Sequence, residues 1–349
     1  MNLKFTNEEK AMVIVAVILV AGLLVLSYPY IKNSNAKNAY PVRIIEIGGE
    51  CKECFDIALV EKSLPANTAV KSKEILAYNS EKGRELIKRY GIKNVPAMVL
   101  VSGDISKLGL DDSIFSVSKG YAVFDKPVPY VDLSSGEIKG LVELKEIRDG
   151  KCLDCSSLAG LKTQLEGFGI KIKDYRIIEE SSEEGKSLIK ENGLVFVPSL
   201  LASRELEEYW WIFGNIKASF TSKASYYVFN NPIAPFKDIS TGRIKGKVNA
   251  TYVTDNRCND CYNVSSLKGI FQNIGVYINK ERYIDVSSGE GKGLLAKYNI
   301  TAVPTLILSE GISDYPIEVE ELLKEVGTFE NGEFVFRNLE QLNVKYKKL

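Results

Sequence analysis

The chain has 349 residues with 45 basic side chains, 45 acidic side chains and no histidine. This length favours two or three domains, and the zero net charge lacks the basic excess of a nucleic-acid-binding protein. The absence of histidine excludes Ser-His and Cys-His catalysis and removes the commonest nitrogen ligand of zinc. A catalytic function would therefore depend on other side chains, of which the six cysteines are the first candidates.

The N-terminal part of the chain predicts a membrane anchor. Residues 11–28 form an uncharged stretch of 18 residues, which just reaches the length that spans a bilayer. This stretch is longer than the apolar core of a cleaved signal peptide, and no clear small-x-small cleavage motif follows it. We therefore expect an uncleaved single-pass anchor after a tail of residues 1–10, with the domains outside the cytoplasm. Charge alone leaves the orientation open, because the two flanks carry similar numbers of lysines and arginines.

A motif of about 50 residues then occurs three times. Each copy opens with Cys-x-x-Cys, continues through NSEKGRELIKRYGI, SSEEGKSLIKENGL or SSGEGKGLLAKYNI, and ends with Val-Pro before an apolar run. The first cysteine precedes the proline by 45, 46 and 46 residues, and successive copies lie 101 and 106 residues apart. A period this long indicates an array of whole domains rather than a solenoid. We therefore predict three domains, at residues 29–134, 135–240 and 241–349.

Within each copy the hydrophobic pattern predicts strand, helix, strand, helix and strand. RIIEI (43–47) is a β-branched run typical of a buried strand, and Phe55, Ala58 and Leu59 follow at helical spacing until Pro65. YRII (175–178) and YIDV (283–286) predict the second strands of the later copies. This order favours an α/β fold with a mostly parallel core.

Each copy also has a tail. In the third copy, Asn331-Gly332 within TFENGEFVF (328–336) predicts a hairpin with a two-residue turn. In the first two copies, the proline-rich stretches DKPVPYVDLSSGEIKGLV and NNPIAPFKDISTGRIKGKV cannot be helical throughout. We interpret them as extended connectors into the next domain, and we predict direct contact between neighbouring domains.

A cysteine pair at the start of a helix and a distant Val-Pro can serve one reaction. The N–H groups at a helix N-terminus stabilise a thiolate on the first cysteine, which attacks a disulfide in a partner. The second cysteine, one helical turn further on, attacks the mixed disulfide and releases the product. A cis proline beside the pair would present the preceding residue as an open strand edge for the partner peptide. We therefore predict cis bonds at Pro96, Pro198 and Pro304.

These features resemble the thioredoxin family, most clearly in YGIKNVPA (90–97) and YNITAVPT (298–305), each of which precedes a strand. The tandem arrangement is similar to that of protein disulfide isomerases. The resemblance implies three thioredoxin-like domains, each with a central mixed sheet flanked by helices, after one transmembrane helix. The nucleophiles that it implies are Cys51, Cys152 and Cys258, and the resolving cysteines are Cys54, Cys155 and Cys261. The residues that it implies for holding a substrate strand are Val95, Pro96, Val197, Pro198, Val303 and Pro304.

The chain departs from this family beside the cysteines. The positions before each first cysteine, where the family has tryptophan, hold Glu50, Lys151 and Arg257. The positions before each second cysteine hold Glu53, Asp154 and Asp260. Because a neighbouring carboxylate disfavours a thiolate, we expect weaker oxidants than the isomerases.

A second departure concerns the buried carboxylate that the family has before its active site. Counted back from the first cysteine, only Glu146 occupies the equivalent position, and Ile45 and Tyr252 stand there in the other copies. An insert also separates the Val-Pro strand from the terminal hairpin of each copy.

Three interpretations of the cysteine pairs remain open: redox-active sites, structural disulfides and metal ligands. Zinc needs four ligands, and two pairs about 100 residues apart would have to meet across domains, so we expect no metal site. The favoured hypothesis is a membrane-anchored thiol–disulfide oxidoreductase or isomerase. It would act on cysteine-containing exported proteins with a separate redox partner protein, with no cofactor beyond its own disulfides and no nucleic acid. The alternative is a non-catalytic binding or chaperone-like scaffold of degenerate thioredoxin-like domains.

Overall fold

The structure, a computed structural model, describes residues 39–49 and 51–349. These residues form three units of one architecture, which we define as residues 40–139, 142–245 and 248–349. The predicted tail and anchor, residues 1–10 and 11–28, lie outside the described residues. Within the described residues, no helix combines the length and apolarity that crossing a bilayer requires.

Strands and helices follow the same order in each unit. The first unit contains β1 (Tyr40–Gly48), α1 (Ala58–Ser63), β2 (Thr68–Ala77), α2 (Glu81–Tyr90), β3 (Asn94–Val95), β4 (Ala97–Val101), β5 (Ser116–Ser118), β6 (Tyr121–Phe124), β7 (Tyr130–Asp132) and β8 (Ile138–Lys139). The second contains β9 (Val142–Arg148), α3 (Ala159–Gly167), β10 (Ile172–Glu179), α4 (Glu183–Asn192), β11 (Phe196–Val197), β12 (Ser199–Ser203), α5 (Trp210–Ile216), β13 (Phe220–Ser222), β14 (Tyr226–Phe229), β15 (Phe236–Asp238) and β16 (Ile244–Lys245). The third contains β17 (Val248–Thr254), α6 (Leu267–Asn273), β18 (Ile278–Asp285), α7 (Gly289–Lys297), β19 (Ala302–Val303), β20 (Thr305–Leu308), α8 (Ile317–Lys324), β21 (Gly327–Glu330), β22 (Glu333–Phe336) and β23 (Lys347–Lys348).

The central sheet of each unit has five strands, in the orders β2-β1-β4-β6-β5, β10-β9-β12-β14-β13 and β18-β17-β20-β22-β21. The pair β1/β2 is parallel, whereas β1/β4, β4/β6 and β5/β6 are antiparallel. The expectation of a mostly parallel core was therefore wrong. The chain returns through the tight β5–β6 hairpin, which forces antiparallel pairing, instead of through further helical crossovers. This mixed sheet flanked by helices agrees with the thioredoxin-like arrangement.

The core of each unit lies on both faces of its central sheet. In β1, Ile44 packs on the α1 face with Met98 and Leu100, while Ile45 and Ile47 pack on the opposite face, towards α2. The two faces arise because successive strand residues point in opposite directions. The β-branched run at residues 43–47 is therefore buried on both sides, as the sequence indicated.

The repeated serine-rich segment marks the start of the second helix in each unit. The hydroxyls of Ser80, Ser182 and Ser288 accept hydrogen bonds from the backbone N–H three residues later, at 3.0, 3.0 and 2.9 Å. That third residue is a glycine in every unit, because a Cβ there would lie 2.1 Å from a carbonyl oxygen at the end of the preceding strand. This part of the repeat therefore caps a helix.

Neighbouring units touch through the connectors, which confirms the predicted contact. The hydroxyl of Tyr130 donates to Glu208 of the second unit at 2.8 Å, and Lys247, directly before the third unit, forms an ion pair with Asp154 of the second. The predicted domain boundaries at 134 and 240 fall between β7 and β8 and between β15 and β16. Those boundaries stay predictions.

A tyrosine holds each connector where it enters the next unit. The hydroxyl of Tyr209 donates to the carbonyl of Gly140 at 2.6 Å and accepts from the N–H of Lys171 at 2.7 Å. Tyr315 makes the same two bonds in the third unit, to Gly246 at 2.8 Å and from Tyr277 at 2.7 Å. The tyrosine hydroxyl thus satisfies two backbone groups at once.

We expect Tyr209→Phe to destabilise the second unit by about 1–3 kcal/mol, because it removes the partner of the carbonyl of the buried Gly140 and of the N–H of Lys171. Both tryptophans of the chain, Trp210 and Trp211, belong to this unit, so the midpoint of urea unfolding followed by tryptophan fluorescence reports on it. Lys186→Met is the control, because Lys186 is an exposed residue of α4 in the same unit. Equal midpoints for the two variants would contradict the clamping role of Tyr209.

Candidate active sites

All six cysteines are paired within their own Cys-x-x-Cys motifs. The three disulfides are Cys51–Cys54, Cys152–Cys155 and Cys258–Cys261. Every one of these cysteines is partly exposed. Among the described residues, no group of three or more cysteine, aspartate or glutamate side chains is arranged to hold a metal ion.

The cysteine pairs lie on turns that precede the helices. The N–H of Cys152 donates to the carbonyl of Asp149 at 3.0 Å, and the N–H of Cys155 donates to the carbonyl of Cys152 at 3.3 Å. The following helix begins only at Ala159, and α1 likewise begins at Ala58, after Cys54. The expectation of a helix N-terminus at the first cysteine was therefore wrong, and the helix dipole, which acts over one turn, does not supply the expected stabilisation of a thiolate.

The three predicted cis bonds, Val95-Pro96, Val197-Pro198 and Val303-Pro304, are confirmed. Two further cis bonds, Val128-Pro129 and Ala234-Pro235, occur in the connectors and were not predicted. In the third unit the strand before the proline lies beside the cysteine pair, with Cys261 Sγ 4.0 Å from the carbonyl oxygen of Val303.

The strand edge before each cis proline is filled by the chain itself. We call the segments 129–133, 235–239 and 345–349 the first, second and third straps. They pair antiparallel with β3, β11 and β19, and the partners of Val95, Val197 and Val303 are Val131, Lys237 and Lys347. The expectation of an open edge was therefore wrong. Sequence reasoning treated the proline-rich stretches as connectors only and missed that they pair with these edges.

Each strap also binds the cysteine loop of its own unit. The residue after the second cysteine donates its N–H to a strap carbonyl, from Phe55 to Pro129 at 2.8 Å and from Ser156 to Pro235 at 2.9 Å. In the third unit Tyr262 donates to Lys345 at 2.9 Å. The strap thus lies between the disulfide loop and the strand before the cis proline, and it connects the two predicted parts of the site.

In two of the units, an aspartate before the cysteine pair forms an ion pair with a lysine on the strap. Lys237 Nζ lies 2.8 Å from Asp149, and Lys347 Nζ lies 2.6 Å from the buried Asp255. In the first unit, Gly49 and Val131 occupy these positions. The aspartate and the lysine therefore occur together or not at all.

These ion pairs shift the titration of the groups involved. Hydrogen bonds from Arg257 and Lys347 hold the pKa of Asp255 well below its usual range. The hydrogen bond from Lys237 likewise lowers the pKa of Asp149, and that lysine has a raised pKa because Asp149 and Glu180 accept its protons. Both aspartates therefore remain charged beside their disulfides at neutral pH.

A buried carboxylate occurs in two units, not one. Glu146 is 1% exposed and accepts a hydrogen bond from Tyr175, whose pKa is raised by burial and by this carboxylate. In the first unit the equivalent residue is Glu46 and not Ile45, because the loop before Cys51 is one residue shorter and counting from the cysteine slips by one. Lys73 Nζ lies 2.9 Å from Glu46. In the third unit, Tyr252 occupies this position and donates to Glu281 at 3.1 Å.

The residues between the cysteines differ between units. Leu153 is 93% exposed beside Cys152, whereas the other two loops carry polar residues. A surface pocket of about 360 Å³ next to Leu153 is lined by Cys152, Asp149 and Lys237. Two of the inner acidic residues have cationic partners, because Asp154 pairs with Lys247 and Asp260 lies 3.3 Å from Lys345. These cations offset the expected effect of the acidic residues on a thiolate.

Comparison with known proteins finds only distant similarity. No protein-family model matches the chain, and no curated protein matches it. Among solved structures, a protein disulfide oxidoreductase from Aeropyrum pernix k1 shares 14% identity over 55% of this chain and 93% of its own, with a TM-score of 0.16. ERdj5 in crystal form II shares 12% identity over 80% of this chain, which spans 39% of ERdj5, with a TM-score of 0.15. Human ERp44 shares 11% identity over 81% of this chain and 77% of its own, with a TM-score of 0.15. A functional proposal must therefore rest on the geometry of the three sites.

We expect Lys237→Met to lower the free energy of unfolding of the second unit by about 1–3 kcal/mol at pH 7, because charged hydrogen bonds to Asp149 and Glu180 are lost. A carboxylate with a lowered folded-state pKa stabilises the fold above its unfolded pKa of about 3.9, and this contribution is lost as the pH falls. The raised pKa of Lys237 affects only alkaline pH. The difference from the unsubstituted chain should therefore shrink between pH 7 and pH 3.

Urea unfolding followed by tryptophan fluorescence at the two pH values measures this difference. Lys186→Met is the matched control, because Lys186 is exposed on α4, and its effect should stay within about 0.5 kcal/mol. A Lys237→Met effect that is equally large at both pH values would show that the strap is not held by Asp149.

Proposed function

We propose that the chain is a thiol–disulfide oxidoreductase that works through its three Cys-x-x-Cys pairs. The observation that carries this proposal is the location of the disulfides. All three are partly exposed on short loops, and each loop is bonded to a strap that lies against the strand before a cis proline. A purely structural disulfide gains nothing from this repeated exposure, whereas an exchange reaction requires access to sulfur.

In the proposed reaction the first cysteine of each pair is the nucleophile and the second resolves. With the pair reduced, the thiolate of Cys152 attacks one sulfur of a partner disulfide and forms a mixed disulfide, and the other partner sulfur leaves as a thiolate that takes up a proton. Cys155, as a thiolate, then attacks the Cys152 sulfur and releases the second partner thiol. The pair ends as a disulfide, and its two electrons reside in the partner. The reverse sequence oxidises a partner dithiol.

The partners and the location belong to the same proposal. The substrates would be cysteine-containing exported proteins, and a separate redox partner protein would restore the three pairs. No cofactor beyond the disulfides is needed, since each exchange transfers two electrons between sulfur pairs. Residues 11–28 would anchor the chain in a membrane with the three units outside the cytoplasm, in keeping with their uncharged character.

A non-catalytic binding scaffold is the second candidate, and one observation favours it. The strand edges that would hold a substrate, at Val95, Val197 and Val303, are paired with the straps. A scaffold would keep its disulfides closed and use other surfaces. The two candidates differ in whether one cysteine of each pair reacts preferentially.

We expect Cys155→Ser to form a mixed disulfide with glutathione when the reduced chain is mixed with glutathione disulfide, because Cys152 attacks and nothing resolves the adduct. Cys152→Ser should form this adduct at least about tenfold more slowly, since the remaining cysteine is the resolving one. Both variants carry serine at the other four cysteines, and intact-mass spectrometry follows the adduct over time. Equal rates, or no adduct on either variant, would favour the scaffold. The same pair of substitutions applies to the first and third sites.

A further inference from the structure

The third strap carries a charge pattern that matches its groove. Lys345 and Lys347 lie two residues apart on this strap. Lys345 Nζ lies 3.3 Å from Asp260, between the two cysteines, and Lys347 Nζ lies 2.6 Å from Asp255, which precedes them. The strap therefore places one cation at the aspartate between the two cysteines and one at the aspartate before them.

The backbone of this strap is held as an added strand. It pairs antiparallel with β19, accepts the N–H of Tyr262 at Lys345, and donates the N–H of Leu349 to the carbonyl of Thr301 at 2.8 Å. Such backbone bonds are independent of sequence, so another extended segment can make them equally well. Selectivity for the occupant must therefore come from the side chains, and here from the two aspartates.

Comparison of the three units supports a role for the aspartate in selecting the segment that occupies the groove. Where the loop has an aspartate, at Asp149 and Asp255, the strap has a lysine, and where the loop has Gly49 the strap has Val131. Asp255 is 4% exposed, and a buried carboxylate is costly without a cationic partner. Arg257 also bonds to Asp255, at 2.9 Å, so a segment that replaced the third strap would restore the second cationic partner only if it supplied a basic side chain.

We propose that the third site binds, in place of its own strap, an extended segment of a partner polypeptide that carries basic side chains two residues apart. The segment pairs with Ala302–Val303, its basic residues face Asp260 and Asp255, and a partner cysteine near it lies beside Cys258–Cys261. Asp255 is thus the residue that determines specificity at this site. The substrate class named here rests on the proposed oxidoreductase function, whereas the binding step does not require it.

The test uses the full chain and a cysteine-free peptide. The probe is a fluorescein-labelled peptide with the sequence of residues 343–349, NVKYKKL, and its partner probe has glutamate in place of the lysines at positions 345 and 347. The host is the full chain with Lys345→Gln and Lys347→Met, which weakens the internal strap and keeps its backbone. Fluorescence anisotropy should give at least tenfold tighter binding of the lysine peptide to this host than to the unsubstituted chain.

The matched control host is Lys348→Gln, because Lys348 does not face the cysteine loop and lies 3.8 Å from Glu340. It should bind like the unsubstituted chain. The glutamate peptide should bind the weakened host at least tenfold more weakly than the lysine peptide. Equal binding of the two peptides, or equal binding by the weakened host and the unsubstituted chain, would overturn the proposal.

A further variant distinguishes a loss of specificity from a general loss of binding caused by misfolding. Asp255→Asn, added to the weakened host, should reduce binding of the lysine peptide and leave unchanged the binding of a peptide with methionine at position 347. An equal loss for both peptides would contradict the specificity role of Asp255. The probes contain no cysteine, so this assay measures binding alone, and the glutathione assay measures exchange at Cys258 separately. Selective binding without exchange at Cys258 would reject only the oxidoreductase proposal. Exchange at Cys258 without selective binding would reject only this inference.

Discussion

Backbone hydrogen bonding between the straps and the strands before the cis prolines connects the main features of this chain. Backbone N–H and C=O groups at a sheet edge need partners, and β3, β11 and β19 obtain them from segments 129–133, 235–239 and 345–349. The same segments bond to the loops that carry the disulfides. The first two then continue into the next unit, where Tyr209 and Tyr315 bind them at Gly140 and Gly246. The disulfide loops and the joints between units therefore belong to one hydrogen-bonded arrangement.

Local charge distinguishes the three sites. The first loop has glycines and an apolar strap residue, Val131, whereas the second and third have an aspartate paired with a strap lysine. Because the cysteine pairs lie on turns before the helices, nearby side chains and not a helix dipole act on the sulfurs. Three sites with different neighbours should differ in reactivity and in the segments that they accept.

Several features could be predicted from the sequence because they depend on local patterns. The buried strand at residues 43–47, the cis bonds and the hairpin at Asn331-Gly332 follow from β-branched runs, from the fixed distance between cysteine and proline, and from turn chemistry. The straps could not be predicted, because pairing over two or three residues leaves no periodic signal, and the first two straps lie in proline-rich stretches. Glu46 was missed because one residue fewer before Cys51 shifts the count from the cysteine. The start of α3 at Ala159 was misjudged because helical spacing does not locate the first helical residue.

A redox titration of the full chain tests the central claim most directly. The chain is equilibrated across a series of thiol–disulfide buffers, free thiols are alkylated, and each cysteine pair is quantified by mass spectrometry. The account predicts that all three pairs titrate reversibly, with reduction potentials between about −120 and −270 mV, the range of proteins that catalyse exchange. Pairs that stay oxidised until the buffer is more reducing than about −300 mV would be structural disulfides and would contradict it.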